Sequence, residues 1–306
     1  MKQASIDLGT NTCLLLVRDS SGAILHDEST VVRLGEGVAA SKRLRPEAMA
    51  RARECIARYV ARAGELGVAA QEIVAVGTAQ ARDASNAPEF FGALERELGV
   101  RFRILSGDEE ARATFLGAAL PGIPVDRMVV MDIGGGSTEL VAMPDRKSLL
   151  GTSLGIGAVK ITERFFNSDP VTDSEFWKAE DAIHQELAPL KKWRLELDRM
   201  EGGPVFVAVA GTAVTLAMVQ AGTPLYDRGM IDGYELSRGD VHRLVEEFKW
   251  RKIEERRLLP GMEPKRADVI LAGALIFWRV MEELRFPKVI ISTRGLRFGV
   301  LESDSN

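Results

Sequence analysis

The sequence predicts two similar α/β domains, each carrying an Asp-x-Gly turn between two strands, and three observations carry that prediction. Residues 5–17 read as strand, tight turn and strand, and residues 130–141 read the same way, with Asp7 matching Asp132, Gly9 matching Gly134 and Thr12 matching Ser137. A second string, Gly77-Thr78-Ala79, recurs in the same order as Gly211-Thr212-Ala213. The two repeats are offset by about 125 and about 134 residues, and two motifs recurring in step point to duplication rather than to a chance likeness of Gly-rich strings. Between the markers, strand-like and helix-like patterns alternate, as in an α/β domain.

The elements follow in order. Residues 46–66 are rich in helix formers, begin at Pro46 and carry an apolar stripe through Met49, Ala52, Ile56, Tyr59, Val60 and Ala63. Residues 108–119, 174–190 and 240–247 read as further helices. Residues 267–284 read as a strongly apolar helix and 288–292 as a short buried strand. The Leu-Pro-Gly-Ile-Pro stretch at 120–124 is the best linker. It divides the chain into a first domain at 1–122 and a second at 123–295, with the tail, about 296–306, a segment that could pack back on the first.

A chain of 306 residues is natural for two domains. Two cysteines, Cys13 and Cys55, and three histidines offer neither a disulfide framework nor zinc spacing, so any metal should be a hard cation held by carboxylates. The net charge of −4 argues against a general nucleic-acid binder. The basic stretch at 238–266 reads as a solvated helix face. No apolar run reaches the roughly 18 residues of a membrane span, and the N-terminus enters strand-like sequence with no signal pattern. The expectation is a cytoplasmic protein with neither membrane nor nucleic acid as partner.

The motifs that bear chemistry are polar and Gly-rich. An Asp-x-Gly turn leaves backbone N–H groups on the inside of the hairpin, and its glycines let a ligand approach, so each turn is either a phosphate cradle or a plain hairpin. Asp7, Gly9, Thr10, Asn11 and Thr12 form the first candidate cradle. Gly134, Gly135, Gly136, Ser137 and Thr138 form the second, with Gly211-Thr212 beside them in the pattern. Paired across a domain interface, they would close on one phosphate chain. Asp132 and Glu139 stand on opposite arms of the second hairpin, and two such oxygen ligands with waters and phosphates suit Mg²⁺. The plainer reading is an Asp that fixes the turn and a Glu that faces solvent.

Residues 104–112 read as a strand end, a Gly turn and a helix start. Ser106 or Asp108 is a candidate cap, and Glu109 and Glu110 fall in the first turn. One of these acids either serves the helix terminus or places an attacking water for phosphoryl transfer. Arg82 lies early in a helix after a Gly-Thr turn, a poor place for a cation unless it faces an anion, which suggests a phosphate clamp. Arg33 is a weaker candidate of the same kind. Gly35-x-Gly37 and Gly155-x-Gly157 make no dinucleotide fingerprint, and neither a P-loop nor a G-x-S-x-G elbow occurs.

Taken together, Asp7-Leu-Gly-Thr-Asn-Thr12, the string from Gly77 to Asn86, Ser106-Gly-Asp-Glu-Glu-Ala-Arg112 and Asp132-Ile-Gly-Gly-Gly-Ser-Thr-Glu139 resemble the successive signatures of the Ppx/GppA phosphatases. The likeness continues through 153–163, 210–213, 259–268 and 292–299, nearly the whole chain. It implies an actin-like ATPase fold of two ribonuclease-H-like domains with a cleft between them, and Mg²⁺, with Mn²⁺ as an alternative. By position it makes Glu110 the catalytic base, with Glu109 as its fallback, Asp132 and Glu139 the metal-side carboxylates, and Arg82 a phosphate-binding arginine. The chain resembles the short members, without the added helical C-terminal region. Thr10 stands where Ser is common, and Gln80 and Phe298 depart from the pattern with no role assigned.

The expected activity is release of terminal phosphate from inorganic polyphosphate, with guanosine pentaphosphate as the rival substrate and a homodimer left open. An actin-like small-molecule kinase and a non-catalytic ppGpp sensor are the readings from other classes.

Overall fold

The computed structural model describes residues 1–144 and 148–303, so residues 304–306 of the tail lie outside the described residues. The chain divides into two compact units, residues 1–117 with the C-terminal segment from Leu296, and residues 118–295. No helix among the described residues is long and apolar enough to cross a membrane.

The sheet of the first unit contains β1 (Gln3–Leu8), β2 (Thr12–Arg18), β3 (Ile24–Val31), β4 (Val74–Gly77) and β5 (Phe102–Ile104), in the order β3-β2-β1-β4-β5. The first three strands form an antiparallel meander, and β4 and β5 add to β1 in parallel. Parallel addition needs a crossover, which the helix Pro46–Glu65 supplies before β4 and the helix Ala87–Leu98 before β5. Alternation along β1 turns Ala4, Ile6 and Leu8 toward those helices, where they join Ala52, Ile56 and Tyr59. The helical stripe also runs through Ala48 and Cys55, while Met49 and Val60 lie at its edge.

Ser5 and Asp7 alternate to the opposite face of β1. The helix Leu296–Ser303 covers that face: the Ser5 hydroxyl donates to the Arg297 carbonyl at 2.6 Å, and Leu16 packs with Phe298 and Leu301. The Arg297 guanidinium donates to both carboxylate oxygens of Asp27 on β3, at 2.9 and 3.0 Å. This helix lies close against the helix Gly107–Gly117, since a Cβ at Gly299 would stand 1.7 Å from the Ala113 carbonyl oxygen.

The second unit repeats the plan. β6 (Met128–Ile133), β7 (Thr138–Ala142) and β8 (Leu150–Leu154) form a meander. β9 (Val205–Val209) and β11 (Lys288–Ile291) add in parallel, and β10 (Glu235–Ser237) caps the edge antiparallel to β11. The order is β10-β11-β9-β6-β7-β8. Strand register refines the repeat: Asp7 lies opposite Val76, and Asp132 opposite Val209. Gly77 directly follows Val76, but Gly211 comes after an extra residue, Ala210, whose φ of 64° takes up the insertion.

Three helices differ from the sequence expectation for local reasons. The segment expected at 174–190 is two helices, Asp173–Glu186 and Leu190–Leu197, divided at Pro189, which has no N–H to continue the ladder. The helix expected at 240–247 starts earlier, at Arg238, because Ser237 caps it by accepting the Asp240 N–H at 3.0 Å. The helix Ala210–Ala221 escaped sequence reading, being so uniformly apolar that it shows no amphipathic period.

Gly299→Ala forces a methyl into the Ala113 carbonyl, so it should destabilise the protein by about 1–3 kcal/mol in denaturant melts. Gly64→Ala, inside a helix with nothing within 4 Å of the new Cβ, should instead stabilise by up to about 1 kcal/mol. Equal effects of the two substitutions would contradict the packing described.

Candidate functional site

In the first unit the turn after β1 closes through the Gly9 N–H, which donates to the Thr12 carbonyl at 2.8 Å. The N–H groups of Thr10 and Asn11 have no acceptor among the described residues. The loop is held from behind by the segment after β3. Gly35 N–H donates to the Thr10 carbonyl, and Val32 and Arg33 N–H both donate to the Asn11 carbonyl, each at 2.9 Å. A Cβ at Gly35 would lie 2.2 Å from the Thr10 Cγ2. Gly35, in the Gly35-x-Gly37 string to which sequence assigned no chemistry, is therefore the seat of the first loop. Arg33 holds a left-handed backbone at φ 51° to make its bond, while its side chain is exposed.

Gln80, for which sequence supplied no role, is 2% exposed and reaches this loop from the helix Ala79–Asp83. Its Nε2 donates to the Leu8 carbonyl at 2.7 Å, and its Oε1 accepts from the hydroxyls of Thr10 at 3.1 Å and Thr78 at 3.3 Å.

Sequence left Glu109 and Glu110 as alternatives, and their surroundings differ. Glu109 forms a capping box with Ser106, accepting from its N–H and its hydroxyl, both at 2.8 Å, and those bonds hold its carboxyl below the usual range. Glu110 instead meets Arg82, whose Nη1 donates to the Glu110 carboxylate and to the Leu105 carbonyl, both at 2.7 Å. Asp7 lies close to this pair. Its carboxyl is buried, its Oδ1 has no hydrogen-bond partner, and its pKa is raised to about 7 by burial and then by Glu110, with Arg297 pulling the other way.

In the second unit the register of β6 and β7 sets Asp132 directly opposite Glu139 on one sheet face. Glu139 in turn lies opposite Ser153, whose hydroxyl donates to it at 3.0 Å. The turn closes as in the first unit, with Gly134 N–H donating to the Ser137 carbonyl at 2.9 Å, and the N–H groups of Gly135, Gly136 and Ser137 have no acceptor among the described residues. The Gly134 and Gly135 carbonyls accept from the first N–H groups of the helix Ala158–Phe165. Gly157 closes the fit, because a Cβ there would lie 2.4 Å from the Gly135 carbonyl oxygen. Gly157, in the Gly155-x-Gly157 string, thus seats the second loop as Gly35 seats the first.

Two expected donors turn inward. Thr138 is fully buried and its hydroxyl donates to the Ile156 carbonyl at 2.8 Å. Thr212 is 3% exposed and its hydroxyl points to the Ile133 carbonyl at 3.4 Å. Both brace the loop instead of offering a hydroxyl to a ligand. Gly211 makes room for Arg266, whose Nη2 would stand 1.9 Å from a Cβ at that position. Burial pulls the Arg266 pKa below the usual guanidinium range, against the pull of Glu263 and Asp132. Arg266 is thus a cation near Asp132. The reading of 238–266 as a solvated face is wrong for it and for Arg256, which is 2% exposed and donates to the Phe248 and Ala267 carbonyls. The signal lay in Arg266-Ala267-Asp268, which formed part of the resemblance.

No group of three or more His, Cys, Asp or Glu gathers among the described residues. Two carboxylates facing each other on one register pair remain. That is the ligand count Mg²⁺ takes when waters and phosphate oxygens complete its shell, so Asp132 and Glu139 fit such an ion.

The raised pKa of Asp7 has a defined stability consequence. The native state binds this proton more tightly than the unfolded chain, so the contribution is full below about pH 3.8 and is lost as pH rises through about 7. Asp7→Asn removes this titrating group. Its stability gain over wild type should grow by on the order of 2 kcal/mol between pH 5 and pH 8, measured by urea unfolding without divalent cations. A difference that stays flat across that window would show that Asp7 titrates normally.

Residues 16–306 match the model of the Ppx/GppA phosphatase family. Exopolyphosphatase 2 of Mycobacterium tuberculosis is 35% identical over 301 residues, which cover 92% of this chain and 90% of that protein. A crystal structure of the Aquifex aeolicus family member matches with a TM-score of 0.85 at 31% identity, covering 100% of this chain and 97% of that one. An exopolyphosphatase from Cytophaga hutchinsonii matches with a TM-score of 0.86 at 26% identity, covering 99% and 97%. These likenesses run through both units, which carry the actin-like α/β fold, and the chain belongs to the Ppx/GppA phosphatase family.

Proposed function

We propose that this protein is an exopolyphosphatase that releases terminal orthophosphate from inorganic polyphosphate by Mg²⁺-dependent hydrolysis. Family membership makes it a hydrolase of phosphoanhydride bonds. The observation that carries the catalytic reading is the Glu110–Arg82 pair beside a turn with unpaired N–H groups. The choice of polyphosphate follows from the whole-length likeness to an exopolyphosphatase.

In this reading, the backbone N–H groups of each Gly-rich turn are donors suited to phosphate oxygens. Arg82 turns its planar fork toward the terminal phosphate, which competes with Glu110 for it. Glu110, so released, orients a water and takes its proton as the water oxygen bonds to the terminal phosphorus. The bridging P–O bond breaks, and the products are orthophosphate and a chain one phosphate shorter. Mg²⁺ bound by Asp132 and Glu139, with Mn²⁺ as an alternative, would supply neutralisation of charge on the phosphate oxygens. Arg266 adds a positive charge near Asp132.

Initial rates on polyphosphates of several lengths beside guanosine pentaphosphate, with and without Mg²⁺, test the reading. Polyphosphate should be the better substrate, and rates should collapse without the cation. Preference for guanosine pentaphosphate would move the assignment to its 5′-phosphohydrolase. In the same assay Glu110→Gln should lower kcat by roughly 10²–10⁴-fold while affinity holds or improves, because a charge that repels the polyanion is gone. Glu109→Gln loses only a capping acid and should cost about 1 kcal/mol of stability or less, with kcat nearly intact. Full activity in Glu110→Gln would remove it from the chemistry.

A further inference from the structure

We propose that Gln80 is a positioning residue that fixes the hydrogen-bond polarity of the first phosphate loop. The inference rests on the reading of that loop as a phosphate cradle.

A carbonyl can only accept, so the bond to Leu8 sets which end of the Gln80 amide is nitrogen. Oε1 must then face the Thr10 and Thr78 hydroxyls, and both must donate to it. Each hydroxyl has one proton, and that proton is committed. Thr10 therefore presents only lone pairs to whatever enters the loop, and it cannot donate to a phosphate oxygen while the Gln80 bond stands. The donors the loop still offers a phosphate include the backbone N–H groups of Thr10 and Asn11, beside the Asn11 side-chain amide. The rotamer of Thr10 is fixed from two sides, with its hydroxyl on Gln80 and its methyl against Gly35, where a Cβ would come within 2.2 Å. One amide thus joins the end of β1, the loop and the Thr78 turn, and it holds the two loop N–H groups in place without touching substrate.

Gln80→Met keeps the length of the side chain and removes both polar ends. Gln80→Glu keeps the acceptors and loses the donor to Leu8. In each, kcat/KM for a polyphosphate of defined length should fall about tenfold or more, and hydrogen exchange of the Thr10 and Asn11 amides should speed up relative to the rest of β1. Thr10→Val removes the hydroxyl and keeps the methyl, so it should reproduce the kinetic loss. Added to Gln80→Met, it should cost less than about twofold more, since the Thr10–Gln80 bond it removes is already gone in that variant. A purely structural role would lower the melting temperature and leave kcat/KM and this non-additivity unmoved. Wild-type kcat/KM with wild-type loop exchange in Gln80→Met would overturn the proposal, as would full additivity with Thr10→Val. If the wild-type protein does not hydrolyse polyphosphate, the functional reading fails by itself. Loop exchange in Gln80→Met then decides the role of Gln80 alone, with unchanged exchange overturning it.

Discussion

In each unit the strand that ends in an Asp-x-Gly turn pairs in parallel with the strand that leads into a Gly-Thr step, and the candidate chemistry depends on that pairing. β1 runs beside β4, and β6 beside β9, so the turns emerge together at the carboxyl ends of parallel strands. In open α/β sheets that edge is where backbone polar groups are left for ligands. The antiparallel partner of each first strand then decides what faces the turn. Opposite Asp132 stands Glu139, but opposite Asp7 stands Leu14. One plan, used twice, therefore yields a carboxylate pair in one unit only. In the other, the acids near the turn are a lone buried Asp7 and a Glu110 delivered by a helix.

The polar groups at these turns are held against their intrinsic preferences. Asp7 is buried with an orphan carboxylate oxygen, and Arg33 and Ala210 adopt left-handed backbones that glycine would tolerate better. Such features weaken a fold and persist where the surrounding structure over-determines them. Here the surroundings are identifiable: Gly35 and Gly157 let backbones approach, Gln80 gathers two hydroxyls, and the C-terminal helix seals the Asp7 face of β1. Strain at Arg33 serves a bond to the Asn11 carbonyl, so it is coupled to the shape of the loop itself.

Much of this was legible in the sequence because it is periodic or repeated. The duplicated turns, the helix from Pro46 and the apolar helix near 270–283 follow from local pattern, and the order of the repeats implies paired sheets. Asp132 and Glu139 could be paired from hairpin symmetry alone. The contacts that decide a residue's task were not legible, because they join residues far apart in sequence. The Ser106-x-x-Glu109 spacing marks a capping box locally, but nothing local gives Glu110 its task until Arg82, from an earlier helix, meets it. Thr138 and Thr212 look like donors to a ligand until the carbonyls they bond are seen. Gln80 looked like an incidental variation, and Arg266 like one charge in a basic stretch, because hydrogen-bond partners and burial leave no period in the chain.

The central claim is that the chain transfers a terminal phosphoryl group to water placed by Glu110, and the most direct measurement follows the water oxygen. Polyphosphate is incubated with the protein and Mg²⁺ in ¹⁸O-enriched water, without any phosphoryl acceptor, and the released orthophosphate is analysed by mass. The account predicts one solvent oxygen in each orthophosphate released by the wild-type protein, with release largely abolished in Glu110→Gln. Absence of release without an added acceptor, or orthophosphate that carries no solvent oxygen, would contradict it.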